Sequence, residues 1–238
     1  MVYAVVVCLT FLAGLVQGVT GFGSAIVVML GLPYFFTLPQ SAGIASAVSV
    51  ILCFSMAVRY WKHVRVKKAL LPSLLYLAVC SAAIRFSAVF DPAVMKRVFG
   101  VFLLALSGYF LFSGKGDGQK KLSLPVRVFC ITVSAVCDGL FGIGGPLMVL
   151  YFLNATDSSY EYLGTIQLFF LVNTLYSTVF RMAQGILLPS HLPVIGIGMI
   201  GILTGLFAAN RIVDRLNVQA LRKWIYGMIG ISGLVNLF

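Results

Sequence analysis

The sequence predicts an all-α, polytopic helical membrane protein built from two homologous repeats, each opening with a glycine-broken apolar segment. Three observations carry that prediction. Of 238 residues, 61% are hydrophobic and 10% charged, with a mean hydropathy of +1.05. Soluble domains carry roughly a quarter charged residues. Apolar runs follow one another at the length a helix needs to cross a bilayer, about 17–25 residues, and the short alternating segments of a β-barrel are absent from the sequence. The chain also repeats itself in register, as set out below.

The apolar segments fall at about 2–36, 40–59, 69–87, 98–113, 125–153, 161–183, 192–210 and 221–238. The first lacks a basic n-region and an A-x-A site, so it reads as a retained segment rather than a signal peptide. It is too long for one span and holds "QGVTGFGSAIVV" (17–28) in its middle. The second ends in the basic loop "RYWKHVRVKK" (59–68), the third near Arg85, and the fourth at "SGKGDGQKKLSLP" (113–125), the one linker of soluble character. The fifth is again too long and contains "DGLFGIGGPLMV" (138–149). The "NATDSSYEY" connection precedes the sixth, where helix capping accounts best for Asp157 and Glu161. The basic loop "NRIVDRLNVQALRK" (210–223) precedes the last. Trp61 and Trp224, each next to a basic residue, read as interface anchors. The cysteines Cys8, Cys53, Cys80, Cys130 and Cys137 have no CxxC spacing and read as small buried hydrophobes.

At an offset of 121, Gly18, Gly21, Gly23, Val28, Gly43, Leu71, Pro72 and Phe86 fall on Gly139, Gly142, Gly144, Val149, Gly164, Leu192, Pro193 and Phe207. After an insertion the offset becomes 127, pairing Ala93, Lys96 and Gly100 with Ala220, Lys223 and Gly227. The domains are therefore a first membrane repeat (1–114), a cytoplasmic linker (115–124) and a second membrane repeat (125–238). Lys and Arg mark the cytoplasmic side of membrane proteins. The 59–68 loop is strongly basic while its repeat mate around 181–190 carries Arg181 alone. Corresponding loops then face opposite sides, the repeats are inverted, and each glycine-broken segment enters and returns. Arg85, Lys96 and Arg97 stand against this scheme, on the outer side. The net charge of +11 is accounted for by these loops, and no nucleic-acid partner is expected.

An unpaired polar backbone group in hydrocarbon costs several kcal/mol, so a break at mid-membrane must face protein or a water-filled cavity. A helix restarting after the break offers free N–H groups and about half a positive charge, an anion site made of backbone. The candidate substrate-binding residues of the first break are Gln17, Gly18, Thr20, Gly21, Phe22, Gly23, Ser24 and Ala25. Those of the second are Asp138, Gly139, Gly142, Gly144, Gly145 and Pro146, with Pro146 suited to the first turn of the new helix. Gln167 and Asn173 on the following segment are candidates for lining a path. The rival reading is tight helix packing, since "GLVQG" (14–18) and Gly201 with Gly205 are GxxxG pairs. Asp138, whose repeat partner is Gln17, is the acid deepest in an apolar run, and such residues are functional candidates. It is the candidate proton-coupling group; the alternative is a carboxyl that ties the glycine loop to a neighbouring helix. Arg85 reads as snorkelling to the interface rather than balancing an anion.

The paired G-x-x-G-x-G-[SG] stretches, and the ending "ALRKWIYGMIGISGLVNLF" echoed by "AVMKRVFGVFLLALSGYFLF", resemble the TauE/SafE family of sulfite exporters over nearly the whole chain. The resemblance implies secondary transport of sulfite, sulfonates or other organosulfur anions across a bacterial inner membrane. By position the family's glycine motifs fall on Gly18, Gly21, Gly23 and on Gly139, Gly142, Gly144, Gly145; the first motif has Ser24 and Ala25 where the second has Gly145 and Pro146. Protons are a candidate coupling ion, the bilayer is a partner, and neither cofactor nor metal is expected. A passive anion channel remains the alternative. An intramembrane enzyme with Ser24 as nucleophile would need a histidine base in reach. His63 and His191 lie at segment ends, and no HExxH occurs.

Overall fold

The computed structural model describes residues 2–87, 89–112, 122–212 and 234. Most of the 115–124 linker and of the 221–238 segment, with Ala220, Lys223, Trp224 and Gly227, lies outside the described residues. Among the described residues the chain is helical, with no strand. Helix α1 (Val2–Thr20) stops where Gly21 adopts a φ of +81°, and its N–H closes on the Gln17 carbonyl at 2.7 Å. That left-handed conformation is cheap for glycine alone. The short α2 (Ser24–Met29) then doubles back along α1, with Gly23 beside Val16 and Gly31 beside Leu9.

Helix α3 (Leu38–Arg59) starts at a reciprocal capping box between Thr37 and Gln40. A 3-10 turn leads to α4 (Val66–Ser87), and Asp91 caps α5 (Pro92–Phe112) by accepting from the Ala93 and Val94 amides. Helix α6 (Leu124–Phe141) ends as α1 does, on a left-handed glycine: Gly142, at φ +69°. It is followed by α7 (Gly145–Ala155), α8 (Ser159–Ala183) and α9 (Leu192–Ile212). The helix restarts keep the sequence register: α2 begins at Ser24 and α7 at Gly145, α3 at Leu38 and α8 at Ser159, both pairs 121 residues apart. The start of α8 corrects one expectation. Ser158 is its cap, accepting from the Glu161 amide, while Glu161 is buried and pairs with Lys68 at 2.8 Å.

Among the described residues six helices, α1, α3, α4, α6, α8 and Pro189–Arg211, are long and apolar enough to cross a bilayer, and the protein is a multi-pass membrane protein. Their packing crosses the midpoint of the chain. Helix α1 lies along α9 in the same direction: Gly14 meets Ile202, Gly205 meets the Phe11 carbonyl, and Gly18 faces Ala209. The equivalent contact across the midpoint is Gly139 of α6 on Ala83 and Cys80 of α4. Small residues allow such backbone approach where lipid supplies no hydrophobic drive. At the centre α3 and α8 run antiparallel, with Gly43 beside Arg181 and Gly164 beside Tyr60.

The α1–α9 seam makes a clean test. Gly205→Ala drives a methyl into the Phe11 backbone and should destabilise by about 1–3 kcal/mol, a melting-point loss of roughly 2–12 °C. Gly196→Ala on the same helix points into open space and should stabilise by up to about 1 kcal/mol through helix propensity. Thermal unfolding of the detergent-purified pair checks both signs.

Candidate functional site

The two glycine breaks meet. Between them lies a partly open cavity of about 50 Å³, bounded on one side by Gln17, Gly23, Ser24 and Ala25 and on the other by Asp138, Gly142, Gly144 and Gly145. Asn173 closes it from α8, Ser49 and Cys53 from α3, and Tyr76 from α4. The breaks are brought together because α3 and α8 each hold the opposite loop: Gly142 packs on Ala42 and Gly21 on Leu163.

On the first side Gln17 organises the loop. Its Oε1 accepts from the Ser24 amide at 3.2 Å, and its Nε2 donates to Gln167 Oε1 at 3.0 Å. Gln167 in turn donates to the Gly21 carbonyl at 2.6 Å. Buried amides of this kind fix a loop that would otherwise leave polar backbone in hydrocarbon. Ser24 and Ser49 hydroxyls share a hydrogen bond at 3.2 Å. The amides of Ala25 and Ile26, in the first turn of α2, have no intramolecular acceptor among the described residues.

On the second side α7 restarts at Gly145 with Pro146 in its first turn, the position where a missing N–H leaves nothing unpaired. The Gly145 amide lacks a side-chain cap. Asp138 is 8% exposed. Its carboxylate accepts from the Cys80 thiol at 3.7 Å, with Tyr76 of α4 beside it on the cavity wall, so it does tie the glycine loop to α4 while also lining the cavity. Asn173 donates to the Phe169 carbonyl and to Ser73 Oγ, which leaves its buried Oδ1 without a partner. An unpaired acceptor of that kind calls for a donor from a bound solute or water.

Several sequence candidates sit elsewhere. Gly18 and Gly139 are packing glycines against α9 and α4. Gly21 makes the turn, and the Thr20 hydroxyl is spent on the Val16 and Phe22 carbonyls at 2.8 and 2.7 Å. Phe22, Pro146 and Gln167 stand behind the cavity wall rather than on it. Arg85 is exposed and lies over the Phe180 ring, as a snorkelling arginine does.

The residues that sequence reasoning passed over are Tyr76, Cys53 and above all Arg181. Arg181 is wholly buried, and its Nη2 donates to the Asp138 and Gly139 carbonyls at 2.9 and 2.8 Å, at the negative end of α6. The signal available was a lone cation, "VFRMA", at the end of an otherwise apolar run.

A family model described as "Sulfite exporter TauE/SafE" matches residues 6–235. A protein of Methanocaldococcus jannaschii named as a probable membrane transporter is 23% identical over 152 residues. That alignment covers 59% of this chain and 57% of the archaeal protein, so the chain spans little more than half the length of that curated relative. No solved structure matches the chain.

Proposed function

The chain belongs to the sulfite exporter TauE/SafE family, and from that footing we propose that it is a secondary transporter of small anions, sulfite or a related organosulfur oxyanion, in a bacterial inner membrane. One observation carries the reading: both glycine breaks wall a single, partly open cavity of about 50 Å³. A water-sized position needs roughly 10–15 Å³ of such space, so the cavity suits a solute of about four heavy atoms. Sulfite has four; a sulfonate would need side-chain movement. The amides of Ala25, Ile26 and Gly145 and the Ser24 hydroxyl are the donors, and Asn173 Oδ1 suits a protonated oxygen.

Asp138 gives the coupling. A carboxylate and an anion about 5 Å apart repel by roughly 3 kcal/mol even at an effective dielectric of 20. A proton on Asp138 removes that cost, so anion and proton occupy the site together and binding strengthens as pH falls. The groups that face Asp138 are Tyr76 and Cys80 of α4, Cys137 beside it and Arg181 of α8.

The two halves, 1–114 and 125–238 joined by the 115–124 linker, are in this reading inverted repeats. The antiparallel course of α3 and α8, which are equivalent at the 121-residue offset, supports inversion: repeats related by an axis along the membrane normal would run them parallel. The test of the site is thermal stabilisation of purified protein by sulfite, thiosulfate, sulfate, sulfonates and carboxylates. Sulfite at about a hundred times its dissociation constant should add roughly 2.7 kcal/mol, and carboxylates nothing. If no oxyanion raises the melting point, the site reading falls.

A further inference from the structure

A second, larger cavity of about 390 Å³ opens at the end of the bundle where α3 begins and α4 and α8 finish. Pro39, Gln40, Ser87, Lys96 and Ile186 are among its walls. Arg181 lines neither cavity but bonds a wall residue of each. Its Nη1 donates to the carbonyl of Pro39, a wall of the large cavity, at 3.4 Å. Its Nη2 donates to the carbonyl of Asp138, a wall of the small one, at 2.9 Å. The guanidinium thus stands in the partition between the two. It is 0% exposed, yet its Nε has no acceptor and its Nη1 bond is long. Among the described residues it makes no ion pair within 4 Å. A buried cation held by carbonyls alone, with one N–H unpaired, is costly. Glycine at position 43 makes room for it, since a Cβ there would lie 3.4 Å from Arg181 Cδ.

We propose that Arg181 is the transfer residue of the permeation path. A small oxyanion arriving in the large cavity displaces the Pro39 carbonyl from Nη1, takes up the unpaired Nε as well, and is handed past the partition to the small cavity. The planar guanidinium suits this role because its donors match two oxygens of an oxyanion at once. Lys96, on the large cavity's wall, raises the local anion concentration that feeds it. With no anion present the Pro39 bond keeps the partition shut. This inference rests on the anion-transport reading and adds the route and the residue that controls it.

The experiment separates rate from affinity. Wild-type protein, Arg181→Gln and Arg181→Lys are reconstituted in liposomes, sulfite uptake is followed anaerobically, and sulfite affinity is read from thermal stabilisation. Arg181→Gln should lose uptake by roughly a hundredfold, the size of effect that a lost charge-assisted donor has on a transfer step, while its affinity changes by under threefold. Arg181→Lys should recover part of the rate. A folded Arg181→Gln with wild-type uptake overturns the proposal, and so does one whose uptake and affinity fall together. If the Arg181 variants do not fold, Gln40→Glu decides. It preserves the capping box and places a negative charge on the large cavity's wall, so uptake should fall roughly tenfold with a salt-dependent loss; unchanged uptake sinks the route. Failure of wild-type protein to take up sulfite brings down the underlying reading, whereas wild-type uptake with an indifferent Arg181 brings down this inference alone.

Discussion

Asp138→Asn is expected to leave sulfite bound but to free its movement from the pH gradient. The amide has the shape of the protonated acid and keeps an acceptor for the Cys80 thiol. The fold should therefore survive within about 1–2 kcal/mol, the worth of one altered hydrogen bond. Binding loses its pH dependence, because the group whose proton lifted the repulsion no longer titrates. In liposomes with an imposed pH difference, wild-type protein should accumulate sulfite, and the variant should reach equal concentrations inside and out. A tenfold gradient of protons corresponds to about 1.4 kcal/mol, so one pH unit should separate the two by up to roughly tenfold in accumulation. If the variant still concentrates sulfite along the gradient, Asp138 is not the coupling group. If wild-type protein equilibrates sulfite without accumulating it, the passive-channel alternative takes over.

Gly144→Ala should come close to abolishing transport. At φ −100° the residue has no need of glycine's freedom; what it provides is space. A Cβ there would overlap the Tyr76 hydroxyl and lie 2.9 Å from Asp138 Cβ and 3.1 Å from the Ser134 carbonyl. The backbone and the buried carboxylate cannot both yield, so the cavity wall must move. Overpacking of this kind costs about 1–3 kcal/mol, and a displacement near 1 Å at a binding centre costs roughly a hundredfold in rate. The double variant Gly144→Ala, Tyr76→Phe removes the overlapping hydroxyl. It should regain most of the melting temperature but not the coupling, since Asp138 then lacks the hydroxyl that lines the cavity with it. Recovery of stability without recovery of gradient-driven uptake would tie Tyr76 to the carboxylate's function. Full activity in the single variant would disprove the steric reading.

Much of this architecture was legible in the residues because it depends on local rules. Gly21 and Gly142 mark the breaks because a left-handed turn excludes a side chain, and that preference is written at the position itself. Pro146 and the 121-residue register located the helix restarts for the same reason. The cavity's far walls were not legible. Tyr76 sits in an apolar helix with nothing local to set it apart, and it reaches the site because Gly139 lets α6 press against α4. Arg181 read as a loop charge because its burial depends on Gly43 and on the carbonyl ends of α6, both distant in sequence. Gln167 was expected on a path; it braces Gln17 and Gly21 instead. Glu161 was expected to cap α8, but the hydroxyl beside it does so with less charge to bury, leaving the carboxylate for Lys68.

The parallel seam of α1 with α9 has a consequence for biosynthesis. The ribosome delivers α1 first, yet the surface that covers Gly14 and Gly18 arrives with Ile202, Leu206 and Ala209. At roughly 5–20 residues per second, α9 follows by about 10–40 s. Through that interval the nascent α1 holds its glycine groove against lipid or an insertase, and the Gln17 amide waits for Gln167. Closure of the tertiary structure therefore waits for the synthesis of α9, and a chain released before residue 192 leaves the translocon with α1 unmatched.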